Sequence, residues 1–360
     1  MRVLLITGSF PPVKCGVGHY SYQLVNAMSA IPNIEIRVLT SSTHASDLEL
    51  PNVSLIKNNF GWRIRDVLKL RKMIAKFNPD IVHIQYPTTE YSGLLAKYLP
   101  ILLRFMGLHV VQTWHEHYSE CRAIGWPNVL ACDALIYVRP DFLDRLPNWV
   151  KKWLRNASLS FIPNASTIPV VTLSNEQSYS IKHNLSGGKA IVCFFGFANP
   201  NKGIEHLFEI ADPANHHLVL MCDLSDKTPY QKKILALIKQ DNWRGSVTVT
   251  GFQPEQRIGE ILAVADAVIF PFPQGAGDWN TSLKAAESAG VFSMATTKNS
   301  NQLGYQQDRN IYFFECGKID GMRQILNQYL GVRAQPCVLN EWKIIAQKHY
   351  EVYQLLVKNQ

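Results

Sequence analysis

Residues 1–28 read MRVLLITGSFPPVKCGVGHYSYQLVNAM, and this stretch predicts a strand, a loop and a helix in succession. Its first part, RVLLIT, is a continuous apolar run, which is typical of a buried strand in a parallel sheet. The pair Pro11-Pro12 ends that run and begins the loop. Apolar residues then recur at spacings of three and four in HYSYQLVNAM, which predicts a helix. Gly16 and Gly18 lie between the two elements, where they can bring backbone N–H groups to a phosphate or simply allow a tight turn.

The chain repeats this alternation of strand and helix in two series. The predicted strands are RVLLIT, IEIRVLT, VSLIK, DIVHIQ, HVVQTW and ALIYV in the first half, and AIVCFFG, HLVLMC, VTVTG, AVIFPF, FSMATT and IYFFE in the second. Buried runs alternating with helices are typical of parallel sheets covered on both faces, so we expect two Rossmann-like α/β domains. The boundary is expected within the polar stretch 162–189, which carries two prolines and two adjacent glycines. The predicted domains are 1–168 and 169–338, followed by an amphipathic helix over 339–360.

Composition favours a compact protein. Of the 360 residues, 47% are hydrophobic and 18% are charged, which is not the profile of a disordered chain. The first apolar run is too short for a signal peptide, and Lys97, Pro100 and Arg104 interrupt the longest apolar stretch. We therefore expect a cytoplasmic protein. Its seven cysteines are scattered without any C-x-x-C spacing, which predicts reduced thiols and neither a disulfide framework nor a zinc site.

The formal net charge is +8, and basic residues concentrate in the predicted helix at 62–77. This helix is either an ordinary solvated surface or a patch that meets an anionic membrane. Nucleic-acid binding is not expected, because no aromatic-interleaved basic motif accompanies the charge.

The glycine loop does not match a dinucleotide-binding site. Ser21 occupies the place of the third glycine in G-x-G-x-x-G, and Ser41 and Ser42 follow the second strand where an acidic residue would bind ribose. A nicotinamide-dependent oxidoreductase is therefore a weak alternative.

Segments along residues 1 to 300 resemble, in order, the motifs of the family 4 retaining glycosyltransferases. The strand, proline pair and glycine loop at the start resemble the opening of that family's acceptor domain. The further segments that carry the resemblance are FNPDIVHIQYP, VVQTWHEH, SFIPNAS, FFGFANPNKGIEHLFEI, VTGFQPEQRIGEILAVADAVIFPF and GAGDWNTSLKAAESAGVFSMATT.

The resemblance implies a GT-B fold: two Rossmann-like domains face each other across a cleft, and the last helix crosses back to the first domain. It implies a hexosyltransferase that moves a sugar, with retention of configuration, from a nucleotide-sugar donor to a glycan or lipid-linked saccharide. The expected setting is surface polysaccharide or lipopolysaccharide biosynthesis at the inner face of the cell membrane. No metal or other cofactor is expected.

The resemblance also assigns candidate residues. Lys202 would stabilise the charge that develops on the departing diphosphate, and His115 would contact the reacting sugar or its phosphate. The candidate donor-binding residues are Gly16, Gly18, Gly196, Phe252, Asp278, Asn280, Thr281 and Ser282. Two alternatives at the strand end remain open: a metal pair formed by His115 and His117, and Glu116 as a base.

The chain departs from the family pattern at three positions. Ala276 and Lys284 stand where the family usually has a pair of glutamates, and Phe197 follows Gly196 where it has an arginine. These changes leave a second hypothesis open, that of a catalytically silent relative that binds a glycan or acts as a scaffold.

Overall fold

The computed structural model describes residues 1–13, 15–41, 48–57, 62–87, 91, 93–117, 131–277, 279–337 and 341–358. The chain folds into two compact units: unit 1 is Met1–Ala165 with Asn340–Gln360, and unit 2 is Ser166–Leu339. Within these ranges, no helix is both long enough and apolar enough to cross a bilayer.

The strands of unit 1 form a seven-stranded parallel sheet in the order β3-β2-β1-β4-β5-β6-β7. Val3 pairs with Ile36 on one side and with Ile81 on the other. The strands are β1 (Arg2–Thr7), β2 (Glu35–Thr40), β3 (Val53–Lys57), β4 (Ile81–Tyr86), β5 (His109–Trp114), β6 (Ala134–Tyr137) and β7 (Ser158–Phe161). The first helices of the unit are α1 (Gly16–Met28), α2 (Val67–Phe77), α3 (Leu94–Phe105) and α4 (Asn148–Trp153).

Unit 2 repeats this plan with the strand order β10-β9-β8-β11-β12-β14-β13, in which only β13 is antiparallel to its neighbour. The strands are β8 (Ala190–Phe195), β9 (His216–Met221), β10 (Val247–Val249), β11 (Ala267–Phe270), β12 (Ser293–Thr297), β13 (Gly304–Gln306) and β14 (Ile311–Glu315). The helices are α5 (Asn175–Ser186), α6 (Leu207–Ile210), α7 (Pro229–Ile238), α8 (Glu255–Val264), α9 (Thr281–Ser288) and α10 (Met322–Tyr329). Short 3₁₀ turns occur at Ile64–Asp66, Leu154–Asn156, Pro200–Lys202, Ile204–His206 and Ser300–Gln302.

The last helix, α11 (Glu341–Lys358), belongs to unit 1 and packs against α1. Alternate residues of a strand point to opposite faces of a sheet, and the unit 1 sheet therefore has two apolar cores. One face is covered by α1 and α11, with Val352 of α11 buried there. The other face is covered by α2, α3 and α4.

The twelve strands predicted from apolar runs are all present, and the prediction of two Rossmann-like α/β domains is confirmed. Two edge strands, β7 and β13, were not predicted, because β7 is half polar and β13, with the sequence GYQ, contains no apolar run. The polar stretch expected at the boundary contains α5. Ser174 and Gln177 cap the start of this helix through a reciprocal hydrogen-bonded pair, and Gly187 ends it with a φ of 60°.

Both strand orders reverse direction at one point, between β1 and β4 in unit 1 and between β8 and β11 in unit 2. Open α/β sheets bind ligands outside the carboxyl ends of the strands at such a point. The fold therefore predicts that ligands bind at the loops that follow these four strands and their neighbours.

Candidate active site

In unit 2, the loop after β8 carries Gly196 and Lys202. Gly196 has a φ of 139°, which favours glycine. Lys202 ends a 3₁₀ turn, and its Nζ lies 4.3 Å from the ring centroid of buried Phe272, which follows the neighbouring strand β11. A cation over an aromatic face is attracted to the ring, so this contact orients the ammonium group at the reversal point of the sheet.

Gly203 fixes the same loop against the end of β11. Its φ is 61°, and a Cβ built there would lie 2.2 Å from the carbonyl oxygen of Pro271. A side chain at position 203 would therefore push the Lys202 loop away from the sheet. Residues 201–203 read NKG. The glycine of this NKG motif therefore holds the loop close to the sheet and so positions Lys202.

The loop after β11 leads into α9 and is closed by Asn280. The side-chain Oδ1 of Asn280 accepts a hydrogen bond from the Gly277 backbone N–H at 2.8 Å. Asn280 therefore shapes the loop, and it is not a side-chain cap of α9. Asp278, the other loop residue predicted to bind the donor, lies outside the described residues.

Thr281 and Ser282 are the first two residues of α9, where helix N–H groups and the dipole favour an anion. A Cβ built at Gly196 would lie 3.9 Å from Ser282 Oγ. The structure thus brings Gly196 and Ser282 together, as expected for residues that contact one ligand. Phe252 lies apart from them after β10, where its ring is exposed.

In unit 1, the two glycines of the opening stretch lie inside the first turn of α1 and not in the loop before it. A Cβ at Gly18 would lie 3.1 Å from the backbone of Ser9, so this glycine allows α1 to pack closely on the preceding loop. A Cβ at Gly16 would meet nothing within 4 Å. Only Gly16 therefore leaves open space beside its backbone.

His115 follows β5 and is buried in a network of polar side chains. Its Nε2 lies 2.8 Å from Gln85 Oε1, and its ring meets the ring of Tyr20 edge-on at 4.5 Å. Gln85 Nε2 lies 3.3 Å from His83 Nε2, and His83 Nδ1 lies 2.6 Å from the Tyr353 hydroxyl. The network therefore connects the end of β5, through β4, to α11.

This network determines which nitrogen of His115 carries the proton. The Gln85 oxygen has no hydrogen to donate, so His115 Nε2 must be the donor and Nδ1 the acceptor. Two groups lie at hydrogen-bond distance from His83 Nε2: the Thr113 hydroxyl at 2.8 Å and the Gln85 amide nitrogen at 3.3 Å. Because the amide nitrogen can only donate, His83 Nε2 is an acceptor and His83 Nδ1 is the donor to Tyr353. Among the described residues, no group forms a hydrogen bond to Nδ1 of His115. That atom is the acceptor that remains for a ligand.

Burial keeps the histidines of this network uncharged. Desolvation, with a smaller contribution from the charge of His349, lowers the pKa of His115 to about 3. Desolvation also lowers the pKa of His349 to about 4, because its backbone hydrogen bond to Ile345 only partly compensates. The pKa of His83 is lowered for the same reason. At neutral pH His115 is therefore a neutral hydrogen-bonding group and cannot supply positive charge to a phosphate.

The two alternatives at the end of β5 have protein partners. His117 Nε2 lies 2.8 Å from Asp141 Oδ1, and Glu116 forms an ion pair with Arg139 at 2.7 Å. Burial alone would raise the pKa of Asp141, but the hydrogen bond from His117 and the nearby positive charges lower it overall. In the part of the chain that the structure describes, no three His, Cys, Asp or Glu side chains are grouped so as to hold a metal ion.

Sequence reasoning missed Gln85, His83 and Tyr353. The alternation in β4 could have placed His83 and Gln85 on one face of the sheet with His115, because β4 and β5 are adjacent. No local signal relates Tyr353 to them, since it is 270 residues away from His83.

Family models match both units of the chain. Residues 15–172 match the model described as Glycosyltransferase Family 4, and residues 175–274 match the model described as Glycosyl transferases group 1. The chain belongs to the family 4 glycosyltransferases. A comparison with curated protein sequences finds no match to this glycosyltransferase.

Solved structures share the fold of this glycosyltransferase over the whole chain. Sucrose-phosphate synthase from Thermosynechococcus elongatus has a TM-score of 0.77 and 16% identity, with 100% of each chain covered. HepE from Anabaena, solved with UDP and glucose, has a TM-score of 0.69 and 15% identity, with 100% of this chain and 99% of that chain covered. WaaG, a glycosyltransferase of lipopolysaccharide biosynthesis, has a TM-score of 0.63 and 14% identity, with 99% and 98% covered. The GT-B fold expected from the sequence is confirmed.

Proposed function

We propose that this glycosyltransferase moves a hexosyl group, with retention of configuration, from a nucleotide-sugar donor to a glycan or lipid-linked saccharide. The observation that supports the donor is the reversal point of the unit 2 sheet, where Lys202 and Gly196 follow β8 and α9 begins after β11. A lysine and helix N–H groups are suited to a diphosphate, since both offer donors to an anion. HepE, which shares the fold, was solved with UDP-glucose.

Unit 1 would bind the sugar and its acceptor. Neutral His115 offers an acceptor nitrogen, so it would bind a sugar hydroxyl and not the phosphate. The sequence resemblance left these two partners open, and the lowered pKa of His115 favours the hydroxyl.

Transfer with retention would proceed on one face of the sugar. The bond between the anomeric carbon and the diphosphate oxygen breaks while the acceptor oxygen forms its bond on the same face. The proton of the acceptor hydroxyl passes to the departing diphosphate. The protein mainly positions the reactants and stabilises the developing charge. Such a mechanism fits a chain with Ala276, before α9, and Lys284, in α9, in place of the family glutamates.

The proposal includes no metal and no other cofactor, because Lys202 and the start of α9 would meet the charge of the diphosphate. It also places the protein in the cytoplasm, in the synthesis of surface polysaccharide or lipopolysaccharide. WaaG, named for lipopolysaccharide biosynthesis, shares the fold. A chelator should leave turnover unchanged.

Nucleotide binding tests the proposal first. We expect UDP, GDP, ADP or CMP to raise the unfolding temperature selectively, and calorimetry to show that Lys202→Ala loses this binding. Lys232→Ala, at an exposed lysine on α7, is the matched control. The nucleotide that binds then identifies the donor, and NMR of the product reports the anomeric configuration. A folded protein that binds none of the four would favour the catalytically silent alternative.

A further inference from the structure

The excess of positive over negative charge in the chain lies in one helical layer. Residues 62–77, 93–105 and 148–156 carry eleven Lys and Arg side chains and one Asp, a net charge of +10. Because the whole chain has a net charge of +8, all other residues together are slightly acidic, at −2. We call the outer surface of these three segments the basic layer.

The three segments share one face of the unit 1 sheet. Buried residues of α2, α3 and α4 pack in a single core with the strands, whereas α1 and α11 cover the opposite face. The start of α3 is joined to the segment before α2 by a hydrogen bond of 2.8 Å from the Leu95 N–H to the Trp62 carbonyl. The charges therefore lie on neighbouring elements of one surface.

Large apolar side chains are exposed among these charges. Leu68 is 69% exposed, Trp153 is 70% exposed and Phe105 is 88% exposed. The exposed apolar side chains also form pairs that are four residues, or about one helical turn, apart. These pairs are Ile64 with Leu68, Leu94 with Tyr98, and Trp149 with Trp153. The first turn of each of these helices thus presents apolar groups beside Lys or Arg.

This combination is suited to the surface of an anionic bilayer. Tryptophan and tyrosine partition into the headgroup region, and basic side chains extend to anionic lipid. Within the three segments the single acidic group is Asp66, which accepts a hydrogen bond from the Arg63 backbone N–H at 2.9 Å. Asp133, outside the segments, forms an ion pair with Arg104, and the remaining basic side chains still give a large excess of positive charge. A nucleic-acid surface would need base-stacking or groove-reading elements beside the charge, and a protein interface would not need so large an excess of one sign.

We propose that the basic layer binds unit 1 to an anionic lipid bilayer, with Leu68, Trp149 and Trp153 entering the headgroup region. The sequence suggested a membrane-facing patch at residues 62–77, as one of two interpretations, and an apolar segment near 94–106 that would favour a lipid-linked acceptor. The proposal extends the patch to α3 and α4, which cover the same face of the sheet. The inference rests on these residues and is independent of the transfer reaction.

Sedimentation with vesicles tests it, using the full chain without donor or acceptor. At roughly 0.1 M salt, the protein should sediment with vesicles that contain phosphatidylglycerol and stay in solution with pure phosphatidylcholine. The triple change Arg65→Gln, Lys72→Gln and Lys76→Gln should weaken binding roughly a hundredfold, since each basic residue near the surface contributes about one kcal/mol. Lys227→Gln, Lys232→Gln and Lys239→Gln remove the same charge from exposed sites around α7 and should leave binding unchanged.

The apolar part has its own variant. Trp149→Ala with Trp153→Ala should weaken binding about tenfold or more, because two exposed rings lose their burial at the interface, and should remove the blue shift of tryptophan fluorescence on adding vesicles. Circular dichroism confirms that each variant is folded. Equal binding to neutral and anionic vesicles, equal losses in the two triple variants, or tighter binding to a labelled oligonucleotide than to anionic vesicles would each overturn the proposal. Nucleotide binding is measured separately, so a failure here leaves the proposed reaction intact.

Discussion

The carboxyl edges of the two sheets have the same topology and opposite chemistry. In unit 2 the reversal point carries a lysine ammonium, a positive-φ glycine and a helix N-terminus. In unit 1 the buried network of β4, β5 and α11 is neutral: it consists of imidazoles, an amide and tyrosine hydroxyls. One edge is suited to a charged phosphate and the other to uncharged hydroxyls. Topology thus fixes where a ligand can bind, and the side chains decide what it is.

The largest effect is expected at Lys202. If the charge of unit 2 stabilises the leaving diphosphate, Lys202→Ala should lower kcat by about a hundredfold to a thousandfold, as removal of a transition-state donor does in other enzymes. Steady-state kinetics with the donor that the nucleotide screen identifies measures this loss. Lys232→Ala is the control. An equal loss of kcat in the two variants would contradict the role of the Lys202 charge in stabilising the diphosphate.

Gly18 and Gly16 should separate packing from ligand approach in unit 1. Gly18→Ala places a methyl group 3.1 Å from the Ser9 backbone, so the free energy of unfolding should fall by about 1–3 kcal/mol. Gly16→Ala meets open space and should change it by no more than about 0.5 kcal/mol. Urea denaturation measures both. If Gly16→Ala instead impairs turnover at unchanged stability, the backbone at residue 16 contacts a substrate.

The neutral histidines of unit 1 predict a loss of stability in acid. The unfolded chain binds protons on these residues below pH 6.5, whereas folded His349 and His115 do so only near pH 4 and pH 3. Stability is therefore complete above pH 6.5 and falls as the pH drops, by up to about 1.4 kcal/mol per pH unit for each histidine.

Denaturation curves between pH 7 and pH 5 measure this slope. His349→Gln should reduce it by about 1.4 kcal/mol per pH unit at most, whereas the same change at exposed His183 of unit 2 is the matched control. An unchanged slope in His349→Gln would mean that this imidazole titrates alike in both states.

The smallest effect concerns the proton on His115. Long-range ¹⁵N–¹H NMR should show His115 protonated at Nε2 and His83 at Nδ1. Gln85→Leu removes the acceptor of the His115 proton and should release this preference, with a loss of turnover of about tenfold. Gln112→Leu removes a buried amide that bonds Trp114 instead. The control variant Gln112→Leu should leave the His115 tautomer unchanged. If Gln85→Leu also leaves it unchanged, the hydrogen bond to Gln85 does not determine the tautomer.

The sequence was most informative where structure is local. Continuous apolar runs identified β1, β8 and β11 because both faces of a parallel sheet are buried. The helix α5 was missed since its residues are mostly polar, and the strand β13 because its sequence, GYQ, contains no apolar run. At the sites, the NKG motif singled out Lys202, but the Gly203 contact with Pro271 that places it depends on a neighbouring strand. The far end of the His115 network is Tyr353, the partner of His83, which no local pattern could supply.

The return of α11 to unit 1 has a consequence for the order in which the molecule is made. Unit 2 is one continuous stretch of chain, whereas unit 1 is split between both ends of it. A ribosome therefore finishes residues 166–339 before it makes the helix that buries Ile345, His349 and Tyr353 against the first sheet. Until then the imidazole of His83 lacks its tyrosine partner, and one apolar face of the first sheet lacks part of its cover. The unit whose synthesis starts first can thus reach its native state only after the other has been synthesised.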